Sequence, residues 1–235
     1  MAVSEISELE LVLGHQFRDP RWLVRALMHS SRIQERTADD PTESNEKLEF
    51  LGDAVLELLV SEELVRAFPT WSEGQLSKSR ARLVNATALS LAATRLGLGH
   101  HLRLGRGEEK TGGRLKPALL ADAYEAIIAA IHLDAGLDAA RTFVLRTLAQ
   151  DGLIVEAERL GRTDHKSALQ ELLQSRGVAP GRYRIIEESG PDHEKIFRVE
   201  VRIAGEITAI GTGKTKKEAE QSAAVAALIQ LGAGD

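Results

Sequence analysis

Apolar residues in the first two-thirds of the chain recur every three or four positions, which is the spacing of one face of an α-helix. Leu48, Leu51 and Val55 give a clear example, and the pattern continues from Glu5 to about Leu160. Alternating apolar positions, which indicate strands, are nearly absent there. The pattern predicts an all-helical domain over residues 1–160.

The pattern changes after the polar stretch 161–164. A helix over Ser167–Ser175 leads to segments in which apolar and polar residues alternate. The predicted strands cover Tyr183–Glu188, the segment around Ile196–Ile203, and Glu206–Gly211. From Thr215 the alternation stops, and regularly spaced alanines predict a last helix that packs closely on a sheet. An all-α domain is therefore followed, over 161–235, by a small α+β domain of order α-β-β-β-α.

Composition excludes several classes of protein. Hydrophobic residues make up 43% of the chain and charged residues 28%, as in a globular protein with a buried core. The lack of cysteine rules out disulfides, thiolate metal sites and a cysteine nucleophile, so a reducing, cytoplasmic location is expected. The acidic N-terminus and the short apolar runs predict neither a secretion signal nor a membrane span.

The net charge of −5 argues against nucleic-acid binding by bulk attraction alone. The charge is unevenly distributed, because residues 161–235 carry 11 basic and 11 acidic side chains. The acidic surplus therefore belongs wholly to the helical part.

An acidic triplet lies in the first long helix. Glu46, Glu49 and Asp53 are three and four residues apart, so they share one helical face. Like charges so placed repel one another unless a cation lies between them. Gly52 destabilises a helix by about 1 kcal/mol relative to alanine, which suggests a close approach by another group. Taken alone, such a triplet is also typical of a solvated helix face.

A second acidic pair favours the metal interpretation. Asp122 and Glu125 lie on one face of an otherwise apolar helix, where acids are costly to bury unless paired or bound to metal. Oxygen ligands from two helices, without histidine or cysteine at supporting spacing, suit a hard cation such as magnesium. Glu73 is either an auxiliary acid or a first-turn residue that favours the helix dipole.

Lysines gather at the entrance to the last helix, at Lys214, Lys216 and Lys217. A helix N-terminus already attracts phosphate, and lysines strengthen that attraction. A solvated basic turn is the alternative. A nucleotide-binding P-loop is excluded by spacing, because the required first glycine would fall at Thr208.

The stretch Asn45–Leu56 closely resembles the signature of the ribonuclease III family. The resemblance extends to residues 26–31, 104–108 and 120–126, in the same order and over nearly the whole chain. Ala129 and His132 stand where a glycine and an aromatic residue are expected, and these departures concern only helix packing.

The resemblance assigns roles to six acids. The expected magnesium ligands, with manganese as a substitute metal, are Glu49, Asp122 and Glu125. Asp53 joins Glu125 in the catalytic set, while Glu46 and Glu73 are secondary acids of the cleft. The resemblance implies hydrolysis of double-stranded RNA to 5′-phosphate and 3′-hydroxyl ends, in the processing of ribosomal and other structured RNA precursors.

The tail resembles the double-stranded-RNA-binding domain through residues 166–171, 190–193 and the lysines. Such a domain reads the shape of two successive minor grooves and the phosphates between them. The resemblance implies minor-groove contacts by Gln170, Glu171, Pro191 and His193, with the three lysines on phosphates. His193 alternatively ends a turn.

A homodimer is expected because the two strands of a duplex are locally two-fold related. In the resembled family the aromatic residue at the position of Phe50 enters a socket on the partner, although an ordinary core residue is the alternative. Two other functions compete. A non-catalytic double-stranded-RNA-binding protein keeps the same fold, and a di-iron protein requires a Glu-x-x-His pair that this sequence lacks.

Overall fold

In the computed structural model, the described residues are 3–34, 43–149, 152–162, 165–191 and 195–232. The chain divides into two units, Met1–Ala157 and Glu158–Asp235. The predicted boundary after residue 160 stays a prediction.

The first unit is helical, as the sequence predicts. Its helices are α1 (Val3–Leu13), α2 (Arg21–Ala26), α3 (Ser30–Gln34), α4 (Glu46–Ala67), α5 (Glu73–Leu83), α6 (Ala86–Arg95), α7 (Leu98–His101), α8 (Arg106–Lys110), α9 (Pro117–Ala135) and α10 (Leu137–Thr147). A 3₁₀ turn, η1 (Gly113–Leu115), precedes α9, and α11 (Leu153–Arg162) crosses into the second unit.

Helix α9 forms the centre of the first unit. Pro117 occupies its first turn, where a missing N–H is harmless, and the helix ends at Gly136, whose φ of 88° suits glycine. Its residues from Ala126 to Ile131 are completely buried. Tyr124 is also fully buried, and its hydroxyl lies 2.7 Å from Oγ1 of Thr147. A helix that is apolar on nearly every side must have neighbours all around it.

The second unit follows the predicted α-β-β-β-α order. Its elements are α12 (His165–Ser175), β1 (Arg182–Ser189), β2 (Ile196–Ile203), β3 (Glu206–Gly213) and α13 (Lys216–Gln230). The strands form an antiparallel sheet in the order β1-β2-β3. Ala204 and Gly205 both have positive φ in the tight turn between β2 and β3.

The helices α12 and α13 cover one face of this sheet. Val199 and Val201 of β2 pack with Leu169 of α12 and with the alanines of α13. A Cβ built on Gly211 would lie 2.0 Å from the backbone nitrogen of Ala223, so only glycine permits this close packing of β3 on α13. Among the described residues of this unit, no helix packs against the opposite face of the sheet.

No helix in the described ranges combines the length and the apolar character that crossing a membrane requires.

Candidate functional site

Helices α4 and α9 meet backbone to backbone at Gly52. A Cβ at this position would lie 1.9 Å from the carbonyl oxygen of Glu125. The close approach that the sequence suggested at Gly52 is therefore made by α9. It brings Glu49 and Asp53, on the same face of α4 as Gly52, next to Asp122 and Glu125.

Three half-buried carboxylates converge at this contact. Oxygens of Glu49, Asp122 and Glu125 all lie within 4.8 Å of one another. Among the described residues, this is the group of acids and histidines whose geometry suits a metal ion. Oxygen donors with room for water fit a hard divalent cation such as magnesium, because such a cation keeps part of its hydration shell.

Burial and mutual repulsion make these carboxyl groups hard to ionise. The pKa of Glu125 rises to about 7, first because of burial and then because of the charges of Asp53, Glu49 and Asp122. Burial, together with the charge of Asp122, also raises the pKa of Glu49. Burial raises the pKa of Asp122, although the nearby His29 opposes the shift. A bound cation removes the repulsion between the carboxylates, so this arrangement favours the binding of a cation.

Asp53 and Glu46 lie at the rim of the cluster. Asp53 is exposed on α4, yet its charge contributes to the raised pKa of both Glu49 and Glu125. Glu46 is exposed as well, and it accepts a hydrogen bond of 2.8 Å from the hydroxyl of Ser44. Both side chains are accessible to a substrate, and neither belongs to the three-carboxylate group.

Glu73 occupies a different place in the first unit. It begins α5, where Ser72 and Gln75 form a capping box, and it accepts a hydrogen bond of 2.6 Å from Ser77 Oγ. A cleft of about 260 Å³ between α4 and α5 is lined by Ser61, Leu64, Val65, Glu73, Leu76, Ser77 and Arg80. None of Glu49, Asp122 and Glu125 lines this cleft.

His29 has a structural position beside the cluster. Its Nδ1 lies 2.8 Å from Oγ of Ser31 and accepts a hydrogen bond from the backbone N–H of Ser31. The same hydroxyl accepts a hydrogen bond from the backbone of Gly105. His29 thus ties two segments together, and its charge is felt at Asp122.

The segment before α9 makes two sets of contacts that no local sequence pattern predicts. Glu108 pairs with Lys116 at 2.6 Å, and this hydrogen bond holds the pKa of Glu108 below its usual range. Arg114 donates to the carbonyl oxygens of Gly99, His100 and Leu102 at 2.9–3.0 Å. No local pattern marks an arginine that acts on carbonyls 12–15 residues away.

Phe50 is not a core residue of the single chain. It lies on α4 beside the acidic cluster, and it is 82% exposed. Leu58 and Val65 of the same helix are also exposed, at 47% and 57%. Large apolar side chains exposed along one helix are typical of an interaction surface.

The predicted RNA-contacting residues of the second unit are accessible where they are described. Gln170 and Pro191 are exposed, Glu171 is half-buried, and His193 lies outside the described residues. The lysines at 214, 216 and 217 are exposed at the start of α13, where Thr215 Oγ1 accepts a hydrogen bond from the backbone of Glu218.

A recess of about 420 Å³ separates Gln170 on α12 from Lys217 on α13. At its edge Lys166 pairs with Glu220 at 2.6 Å, and its Nζ lies 4.5 Å from the ring centroid of Tyr183. Burial and the charge of Glu220 raise the pKa of Tyr183 to about 12. These contacts join α12, α13 and β1 in the recess that Gln170 and Lys217 also line.

Comparison with known proteins gives two family matches. A model described as Ribonuclease-III-like matches residues 19–151, and a model described as Double-stranded RNA binding motif matches residues 165–231. Ribonuclease 3 of Solibacter usitatus is 49% identical, with 94% of this chain and 85% of the relative covered. Ribonuclease 3 of Desulforamulus reducens is 46% identical, with 97% and 92% covered.

Solved structures give a consistent result for the helical unit. The nuclease domain of ribonuclease III from Campylobacter jejuni is 43% identical and matches with a TM-score of 0.57, covering 64% of this chain and 97% of that domain. A second structure of that nuclease domain, described for flexibility in a region involved in dimer formation, is 45% identical with a TM-score of 0.56. It covers 61% of this chain and 95% of the other.

Proposed function

The chain belongs to the ribonuclease III family, and on that premise we propose that it hydrolyses phosphodiester bonds of double-stranded RNA at the cluster of Glu49, Asp122 and Glu125. The observation that carries this proposal is the convergence of three half-buried carboxylates from two helices within 4.8 Å. Mutually repelling acids so placed are explained by a bound divalent cation.

Glu49, Asp122 and Glu125 would hold magnesium, with manganese as a substitute. A bound divalent ion supplies a more acidic water and positive charge for the phosphoryl oxygens. The chain's part is to keep the three carboxylates ionised and correctly spaced.

Asp53 and Glu125 form the proposed catalytic pair. Asp53 is solvent-accessible, so its carboxylate can accept a hydrogen bond from the attacking water and orient it toward the phosphorus. Burial and the neighbouring carboxylates raise the pKa of Glu125 to about 7, so a divalent cation held there would displace its proton. The likeness to the ribonuclease III family implies that hydrolysis leaves 5′-phosphate and 3′-hydroxyl ends. Glu46 and Glu73 act as auxiliary acids.

The second unit grips the duplex in this proposal. Gln170, Glu171 and the segment from Pro191 to His193 meet the minor grooves, where 2′-hydroxyl groups distinguish RNA from DNA. The lysines at 214, 216 and 217 neutralise the phosphates between those grooves, supported by the free N–H groups at the start of α13.

The working form is a homodimer. Phe50, highly exposed beside the cluster, inserts into the partner, so that two active sites face the two strands of one duplex. We place the enzyme in the cytoplasm, because a cysteine-free protein suits a reducing compartment. Precursors of ribosomal and other structured RNAs are the proposed substrates.

A cleavage assay on long duplex RNA tests the function. Wild-type protein with magnesium should give short duplexes with 5′-phosphate ends, and chelation should stop cutting. Glu125→Gln should abolish cutting while binding persists, whereas Glu57→Gln, at an exposed acid on α4, should leave cutting normal. If the duplex stays intact with wild-type protein and magnesium, the proposed hydrolysis is wrong, and the alternative of a non-catalytic RNA-binding protein is favoured.

A further inference from the structure

The uncovered face of the sheet carries an unusual number of arginines. The pleat turns Tyr183, Val199 and Val201 toward the helices, so their strand neighbours point to the opposite side. The charged residues on that opposite side are Arg182, Arg184, Glu187, Arg198, Glu200 and Arg202. We call Arg182, Arg184 and Arg202, which lie together at one end of β1 and β2, the arginine face.

Glu200 lies among the side chains of the arginine face. It is only 4% exposed, although no helix among the described residues of this unit packs on its side of the sheet. Arg184 lies directly opposite Glu200 on β1. Nε of Arg202 lies 2.9 Å from Oε1 of Glu200, so the two form an ion pair. The geometry of this pair does not meet the criteria for a hydrogen bond. The single carboxylate balances one of the three positive charges.

The other two arginines of the arginine face have no ion-pair partner in the part of the chain that the structure describes. Arg182 lies directly opposite Arg202, and like charges across a strand pair destabilise a sheet. Within the described ranges, the structure shows neither an ion pair nor a side-chain hydrogen bond for Arg182 or Arg184, and both are exposed. A bound anion would therefore relieve repulsion that the fold leaves in place.

We propose that the arginine face binds the phosphate backbone of a second RNA duplex. Guanidinium groups bind phosphate in a bidentate manner and are more weakly hydrated than lysine ammonium groups. Arg182 and Arg184 are spaced by about 7 Å along one strand, so they can contact separate phosphates. This inference rests on the proposed function only for the nature of the anion.

The two RNA-binding surfaces lie on opposite sides of the unit. The sheet separates the arginine face from α12 and from the lysines of α13, so a straight duplex held by those helices cannot also reach it. The ligand of the arginine face is a second duplex or a distant arm of the same folded RNA. An enzyme with both surfaces retains structured RNAs that have several helical arms better than it retains single hairpins.

The test uses the full chain with Glu125→Gln, so that the RNA stays uncut, and with Lys214, Lys216 and Lys217 changed to Ala. Binding of a labelled duplex of about 20 base pairs is measured against salt. Residual binding should weaken about tenfold when Arg182→Ala and Arg184→Ala are added, and the salt slope should fall by about 2, one unit for each lost phosphate contact. Arg182→Lys with Arg184→Lys should keep the slope, and Glu187→Gln should strengthen binding.

Thermal unfolding of each variant separates a lost contact from a lost fold. Residual binding that is absent in the lysine-free background, or unchanged by the arginine substitutions, would overturn the inference. Loss of a dimer on the arginine substitutions, with RNA binding unchanged, would make this face a protein interface and would overturn it too. If Glu125→Gln protein with intact lysines fails to bind duplex, the result contradicts the proposed function rather than the inference about the arginine face.

Discussion

At the scale of single residues, Gly52 decides whether the acidic cluster can form. Its missing side chain lets the carbonyl of Glu125 approach to a distance that no Cβ tolerates. The short distance between α4 and α9 therefore requires the hydrogen side chain of glycine at this position, because the methyl group of alanine would not fit.

Gly52→Ala should separate the two helices and spread the carboxylates. We expect destabilisation of about 2 kcal/mol from overpacking, and loss of cleavage by about 100-fold, since a shift of 1 Å in positioned groups has effects of that size. Gly107→Ala is the matched control, because its Cβ would meet nothing within 4 Å. Thermal unfolding and magnesium-dependent cleavage of both variants would test this, and wild-type cutting by Gly52→Ala would contradict it.

The raised pKa of Glu125 predicts a pH-dependent magnesium affinity. With a pKa of about 7, the carboxyl group is mostly protonated below neutrality, and magnesium must displace that proton. Apparent affinity should fall about tenfold for each pH unit below 7 if one proton is displaced. Titration calorimetry from pH 6 to 8 would measure this, and the dependence should flatten in Glu125→Gln.

The same group contributes to the pH dependence of the stability of the metal-free fold. Between its ordinary pKa of 4.5 and its folded pKa of about 7, the folded chain holds this proton more firmly than the unfolded chain. The stability that this protonated group contributes to the fold is therefore lost as pH rises through 7. Metal-free Glu125→Gln should be more stable than wild type at pH 8, and equal or lower stability would refute the repulsion described above.

At the scale of elements, Lys166 holds α12 against α13. Its ion pair with Glu220 and its contact with the ring of Tyr183 set the distance between Gln170 and Lys217. The proposed contacts of α12 with the minor groove and of α13 with phosphates can form together only at the correct separation of the two helices.

A charge swap tests this link between the helices. Lys166→Glu and Glu220→Lys should each weaken duplex binding several-fold and lower stability by about 1 kcal/mol, as expected of a partly exposed pair. The double variant should regain most of the binding, because opposite charges face each other again. Additive losses in the double variant would show that the two residues act separately.

At the scale of the whole molecule, Phe50 gives the strongest indication of assembly. An aromatic side chain that is 82% exposed in the single chain gains most of its stabilisation from burial in a partner.

Phe50→Asp should therefore yield monomers in sedimentation experiments. Loss of the pairing of active sites should convert double-strand cuts into slow single nicks. Leu115→Asp changes an equally exposed leucine away from α4 and should leave the dimer intact. A Phe50→Asp protein that sediments as a dimer would place the interface elsewhere.

Local periodicity alone predicted much of this protein. Spacing along the chain gave the helical first part, the α-β-β-β-α tail, and the shared faces of Glu49 with Asp53 and of Asp122 with Glu125. Secondary structure follows the pattern of nearby side chains, so sequence carries this information directly.

Only the tertiary structure decided which faces meet. The contact of Gly52 with Glu125 joins acids more than 70 residues apart, while Glu73 lies at another cleft and Phe50 points to solvent. The raised pKa of Glu125 and the exposure of the guanidinium groups of the arginine face also depend on the tertiary structure. Burial and Coulomb interactions depend on distance through space, and the spacing of residues along a chain does not contain that distance.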